Sequence, residues 1–120
     1  MDWIFSGDRP IFQQLYEQLA KRIVTGVYPM GRRMPSVREL AAEAGVNPNT
    51  MQRALSQLEA SGLAEANRTA GRTVTTDEKK IGEVRNMFAR QAAEKYLEAV
   101  RTLGLTDEEG AALLKKEEKE

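Results

Sequence analysis

Apolar residues recur along this chain with a helical period, broken once by a short segment of another kind. Ile11, Leu15, Leu19 and Ile23 return every four residues with Phe12 and Tyr16 beside them, so an apolar stripe runs from about Pro10 to Thr25. Pro10 suits the first turn of that helix and Gly26 its end. Tyr28-Pro29-Met30-Gly31 predicts a turn, and Arg32-Arg33 reads as loop. Ser36 and Glu39 have the spacing of a capping box, in which each side chain satisfies a free amide of the first turn. A second helix therefore begins at Ser36, turns Val37, Leu40, Ala41 and Ala44 inward, and ends where Gly45 takes a left-handed conformation. Asn47 predicts the cap of a third helix and Pro48 its first position, with Met51, Ala54, Leu55 and Leu58 buried and Gly62 at the stop.

The pattern then changes. Leu63 to Ala66 and Arg72 to Thr76 flank the polar stretch Asn67-Arg68-Thr69-Ala70-Gly71, which has the composition of a hairpin loop. From Asp77 the helical period resumes through Ile81, Val84, Phe88, Ala92, Tyr96, Ala99 and Leu103, roughly seven turns. Gly104 ends that helix. Thr106 and Glu109 repeat the capping-box spacing before Ala111, Ala112, Leu113 and Leu114. Gly110 inside this last helix costs about 1 kcal/mol relative to alanine, and Lys115 to Glu120 forms a charged tail expected to fray. The pattern predicts a mainly α fold with a small β-hairpin: a winged helix-turn-helix domain over 1–76, followed by a two-helix C-terminal dimerisation segment over 77–120.

Composition narrows the chemistry. A chain of 120 residues that is 41% hydrophobic suits one compact domain plus an appendage. It has neither cysteine nor histidine, so disulfides and thiolate sites are excluded, and the usual metal ligands and the commonest general base are missing. A non-enzymatic protein with no cofactor and no metal follows. Glu39 and Glu43 lie four residues apart, but such carboxylates are usually solvated. No apolar run reaches the length of a membrane span, and the N-terminus lacks a signal-peptide pattern, so a cytoplasmic location is expected. The 18 basic and 18 acidic residues give a formal net charge of zero, which by itself does not announce a nucleic-acid binder. Their distribution is uneven. Arg32, Arg33, Arg38, Arg53, Arg68 and Arg72 precede the tail, which holds Asp107, Glu108, Glu109, Glu117, Glu118 and Glu120.

The segment from Val37 to Leu58 carries small residues where two crossing helices must touch: Ala41, Gly45 in the turn, and Ala54. Helix, sharp turn and helix in this form free the second helix to project its N-terminal end into a major groove. Off its apolar face stand Asn47, Asn49, Thr50, Gln52 and Arg53, which can hydrogen-bond base edges and phosphates. A face chosen only for solubility and helicity would carry Glu and Lys instead. Arg38, just behind the cap of the second helix, can reach a phosphate or a guanine edge, or pair on the surface with Asp8, Glu39 or Glu43. Arg68 and Arg72 bracket Gly71 in the hairpin, where a tip can enter a minor groove; a plain exposed turn is the alternative. Trp3 is expected against the first helix as part of the core rather than stacked on a ligand.

Several fixed-spacing segments occur in order: Pro10-Ile11-Phe12-Gln13-Gln14-Leu15, the run from Gly26 to Ala41, Val46-Asn47-Pro48-Asn49-Thr50-Met51, and Leu58-Glu59-Ala60-Ser61-Gly62-Leu63. Over Pro10 to Val74 this arrangement resembles the GntR family of bacterial winged-helix regulators. The Asn-Pro-Asn-Thr form and the tail of two helices resemble its YtrA subfamily. The resemblance implies that Arg38 contacts DNA, that Asn47, Asn49, Thr50 and Gln52 lie in the major groove, and that Gly71 is at the wing tip. It also implies repression of neighbouring operons, often for transporters. Two departures stand out: Pro48 replaces an arginine that binds DNA in many relatives, and the wing has Thr69 for a usual glycine and Thr73 for an aromatic.

The long helix has an apolar face that a small winged domain has little protein left to cover. Val84, Phe88, Ala92, Tyr96 and Leu103, with Leu113 and Leu114, are therefore expected to pack against a second copy of the chain; the alternative is that the helix folds back on its own domain. The partners expected are an inverted-repeat DNA operator and the chain itself as a homodimer, with room for a small-molecule effector of unknown identity and no membrane. An adaptor that binds protein rather than DNA is the alternative, and its binding would not weaken steeply with salt.

Overall fold

The computed structural model describes residues 2–69 and 71–118, without the side chain of Glu118. Ala70 and the last two positions of the charged tail lie outside the described residues. The elements are α1 (Ile11–Val24), α2 (Val37–Ala44), α3 (Pro48–Ala60), β1 (Ala64–Asn67), β2 (Gly71–Val74), α4 (Glu78–Arg101) and α5 (Asp107–Glu118). They form two compact units, Met1–Arg85 and Asn86–Glu120, with α4 running from the first into the second.

In the first unit α1 and α2 both pack on α3. The stripes that predicted these helices converge on a core of Leu15, Leu19, Leu40, Met51, Leu55, Leu58 and Leu63, all fully buried. Each such side chain contributes about 1.5–3 kcal/mol of transfer free energy. Ile11, the first residue of the α1 stripe, is exposed because the core closes one turn further along.

Both predicted caps are present. Ser36 Oγ accepts from the Glu39 amide at 3.1 Å while Glu39 Oε1 accepts from the Ser36 amide at 3.1 Å, the reciprocal pair that starts α2. Asn47 Oδ1 accepts from the Asn49 amide at 2.7 Å and Pro48 opens α3. Gly45 does end α2, with φ 70°, and the Val46 amide closes the motif on the Ala41 carbonyl at 3.0 Å. Of its two expected roles, left-handed stop and close helix contact, only the first holds. A Cβ at Gly45 would meet nothing within 4 Å, so the left-handed backbone, and not helix contact, requires the glycine. Ala41 and Ala54 are buried and do take the small-residue role at the crossing.

The wing is an antiparallel hairpin in the register Ala64↔Val74, Glu65↔Thr73, Ala66↔Arg72 and Asn67↔Gly71. Gly71 has φ 73°, and Asn67 Oδ1 accepts from the Thr69 amide at 3.0 Å, which tightens the loop start. The Arg32-Arg33 segment is not the free loop that its composition suggests. The Gly31 and Met34 amides donate to the carbonyls of Val74 and Arg72 at 2.9 and 2.8 Å, and Arg33 bridges Thr73. Residues 31–34 thus lie along β2 as a third, strand-like member, with Met34 buried beneath.

Ile81 and Val84, near the start of α4, are buried. The second unit departs from the predicted stripe. Ala92, Ala99 and Leu103 are exposed, Tyr96 is half-buried, and the buried residue of this part of α4 is Val100. The cause is α5, which packs on the Tyr96, Leu97 and Val100 face of α4. A Cβ on Gly110 would lie 2.8 Å from Val100 Cγ2, and the Tyr96 hydroxyl donates to the Gly110 carbonyl at 2.7 Å. Gly110 is therefore the seat of the contact, and its helix-propensity cost is the condition for close approach. The Thr106–Glu109 capping box forms as predicted, at 2.9 and 3.1 Å.

Candidate nucleic-acid interface

With Asn47 turned back to cap α3, the first turns of that helix present Asn49 and Gln52 to solvent and Thr50 half-buried. Pro48 at the first position removes one amide that would otherwise need a partner. Gln52 Nε2 reaches Ser56 Oγ at 3.3 Å, along the same exposed face. Arg38 is exposed on the first turn of α2, with no ion pair or hydrogen bond to Asp8, Glu39 or Glu43. Glu39 is instead held by its cap, whose backbone and side-chain hydrogen bonds to Ser36 lower its pKa. Glu43 belongs to a different group. Arg68 is exposed at the wing tip beside the left-handed Gly71.

Two of the expected arginines are already engaged. The Arg53 guanidinium lies 3.7 Å from the centroid of the Phe12 ring on α1, a cation–π contact between the first and third helices. Arg72 Nε donates to Glu59 Oε1 near the end of α3, and the two side chains are only 17% and 30% exposed. Asn47 carries out a cap with its carboxamide oxygen. Of the other expected residues, Arg38, Asn49, Gln52 and Arg68 are exposed and Thr50 is half-buried.

A second cluster had no counterpart in the reading of the sequence. Arg22 is buried in α1, donating to Tyr28 Oη at 2.6 Å and Glu43 Oε1 at 3.0 Å, with Trp3 stacked 4.0 Å from its guanidinium carbon. Burial works against the Arg22 charge, but the bonds to Tyr28 and Glu43 outweigh it and raise its pKa; burial raises that of Tyr28. Trp3 Nε1 also donates to Glu43 at 3.0 Å, so the residue lies against α1 as expected, half-buried on its surface rather than inside the core. Gln18 and Gln14 each grip both backbone groups of one residue in the N-terminal arm, Ile4 and Ser6, at 2.7–3.0 Å. The polar positions 14, 18 and 22 share the four-residue spacing of the apolar stripe, and that spacing was the available signal for this tie between the arm, α1 and α2.

A compact three-helix unit whose third helix is capped at an exposed, amide-bearing end, flanked by a two-stranded wing, is the arrangement of a winged helix-turn-helix. The family model for bacterial regulatory proteins of the gntR family matches residues 11–74, more than half of the chain. The chain belongs to the GntR family. This GntR regulator is 35% identical over 109 residues to the uncharacterized HTH-type transcriptional regulator YhcF of Bacillus subtilis, covering 91% of this chain and 90% of that one. It is 36% identical over 70 residues to the HTH-type transcriptional repressor YtrA of the same organism, covering 58% and 54% of the two chains. Its fold matches that of a GntR family transcriptional regulator from Listeria monocytogenes with a TM-score of 0.83, 36% identity and coverage of 93% and 98%. The YtrA-type resemblance read from the tail and the Asn-Pro-Asn-Thr segment is borne out by these likenesses. A GntR regulator is a DNA-binding transcription factor and not an enzyme. No helix among the described residues is long and apolar enough to cross a membrane.

Proposed function

We propose that this GntR regulator is a repressor that binds an inverted-repeat operator as a homodimer, in the cytoplasm, and that its target is a neighbouring transporter operon. Residues 1–76 take the DNA and residues 77–120 make the dimer. The observation that carries the DNA contact is the exposed start of α3, where Asn49 and Gln52 face solvent beyond a satisfied cap. Asn and Gln carboxamides match the paired donor and acceptor on adenine in the major groove. Arg38 from α2 and Arg68 from the wing supply the charge for phosphates, with the backbone at Gly71 free of any Cβ near the groove.

The homodimer is supported by the apolar surface of the C-terminal unit. Leu103, Leu113 and Leu114 are 76%, 40% and 53% exposed, and apolar surface of this kind suits a two-fold partner. Repression is supported by the likeness to the HTH-type transcriptional repressor YtrA, and transporter control by what the family resemblance implies.

The test is retention of fragments from a digest of the source genome by the purified protein at low salt, followed by sequencing. One retained locus containing an inverted repeat near a transporter gene supports the reading, and Arg38→Ala should weaken that binding at least tenfold, about 1.4 kcal/mol. Sedimentation velocity checks the dimer, with a Leu113→Glu, Leu114→Glu variant expected as a folded monomer. Failure to retain duplex DNA at low ionic strength, or a monomeric wild type at all concentrations, would overturn the proposal.

A further inference from the structure

Four arginines stand in or beside the DNA-reading surface, Arg38, Arg53, Arg68 and Arg72, and their surroundings differ. Arg38 and Arg68 are exposed. Arg72 is fixed at both ends. Its carbonyl accepts from the Met34 amide at 2.8 Å, which locks the backbone into the small sheet. Its side chain turns to α3, where Nε donates to Glu59. With the arginine 17% and the carboxylate 30% exposed, the charges of the pair are largely withdrawn from water and already matched. A phosphate would have to displace a carboxylate whose geometry is set by a helix on one side and a strand on the other.

We infer that Glu59 is a positioning residue for DNA binding: it keeps the Arg72 charge on the protein and off the phosphates. The inference rests on the DNA-binding reading above. Its consequence is selectivity. Phosphate contacts carry no sequence information but raise affinity for every duplex, so withholding one cation lowers binding to random DNA while leaving the base-reading end of α3 untouched. A chain with zero formal net charge is consistent with a surface where cations are matched by local anions.

The salt dependence of binding counts phosphate contacts, because each one releases counterions and adds about 0.9 to the slope of log Kobs against log salt. The probe is a fluorescent random-sequence duplex titrated with the full-length protein between about 50 and 200 mM salt. Glu59→Gln should steepen the slope by about 0.9, through one new contact by Arg72. Glu59→Gln with Arg72→Gln should return it to the wild-type value. Glu65→Gln removes the same charge from exposed β1 and should leave the slope unchanged. Reversing the pair, Glu59→Arg with Arg72→Glu, keeps the charges matched and should also keep the wild-type slope, which tests the idea even if the single variant folds poorly.

An unchanged or shallower slope for Glu59→Gln, while wild type binds, overturns the inference and leaves the DNA-binding reading intact. So does an equal steepening by Glu65→Gln, which would make the effect one of bulk charge, or a shallower slope for the reversed pair, which would make Arg72 a phosphate contact in the wild type. A wild type that does not bind the duplex at the lowest salt overturns both.

Discussion

In the winged unit seven large side chains, from Leu15 to Leu63, are fully buried within the chain, whereas among the described residues of Asn86–Glu120 the buried positions are Val100 and Gly110. The same stretch of the C-terminal unit leaves Leu103, Leu113 and Leu114 in solvent. One region closes a core of its own and the other forms a two-helix contact around a glycine, held by capping and ion pairs at its turn. Arg101 donates to Asp107 at 2.7 and 2.8 Å and to Glu94 at 2.9 Å, all on exposed side chains. Such surface pairs are worth little compared with burial. The first unit is therefore stabilised by a core of its own, while the second leaves apolar surface exposed.

The largest effect is expected in the first core. Leu55→Ala leaves a cavity beneath α3 and should destabilise the winged unit by about 2–5 kcal/mol, read from urea unfolding, with loss of DNA binding. Next in size is Gly110→Ala. The new methyl meets Val100, an overpacking cost of about 1–3 kcal/mol set against about 1 kcal/mol of improved helix propensity. Hydrogen exchange should then quicken in α5 and not in α1–α3; quickening in both would show that the two regions are not separate in stability. Ser36→Ala removes a cap and should cost about 1 kcal/mol, seen as a modest fall in Tm of the winged unit alone.

The smallest effect sharpens the contrast by pH. Hydrogen bonds from Arg101 lower the Asp107 pKa, and those from the Thr106 backbone and hydroxyl lower that of Glu109, while Glu39 in the winged unit is lowered by Ser36. A carboxyl held below its unfolded value stabilises the native state fully above the ordinary carboxylate range of about 4, and that contribution fades as pH falls through the lowered native value. Two of the three groups are in the C-terminal unit, which has the smaller core. Acid titration followed by hydrogen exchange should therefore loosen α5 before α1–α3, and simultaneous loss would count against the contrast.

The helix boundaries were legible because caps and stops are local. Ser36 with Glu39, Asn47 with Asn49, and Thr106 with Glu109 each satisfy amides within four residues, so their chemistry is written in adjacent letters. The core of α1–α3 was legible for a related reason, since a single buried face imposes its period on the residues. The polar start of α3 could be read as a DNA-facing end, but which of its neighbours were engaged could not. Arg53 meets Phe12 across 41 positions of chain, and Arg72 meets Glu59 only because the wing folds back on α3.

Helix starts and stops, the presence of a hairpin, and the family follow from the order of residues alone, because these depend on near neighbours. The partners of charges and the roles of Gly45 and Gly110 emerge from the folded chain. It matched Arg22 with Glu43, drew residues 31–34 alongside β2, and made Gly110 a contact rather than a defect. The physical reason is distance along the chain: an ion pair or a close helix approach depends on which surfaces meet, and one-dimensional spacing does not carry that information.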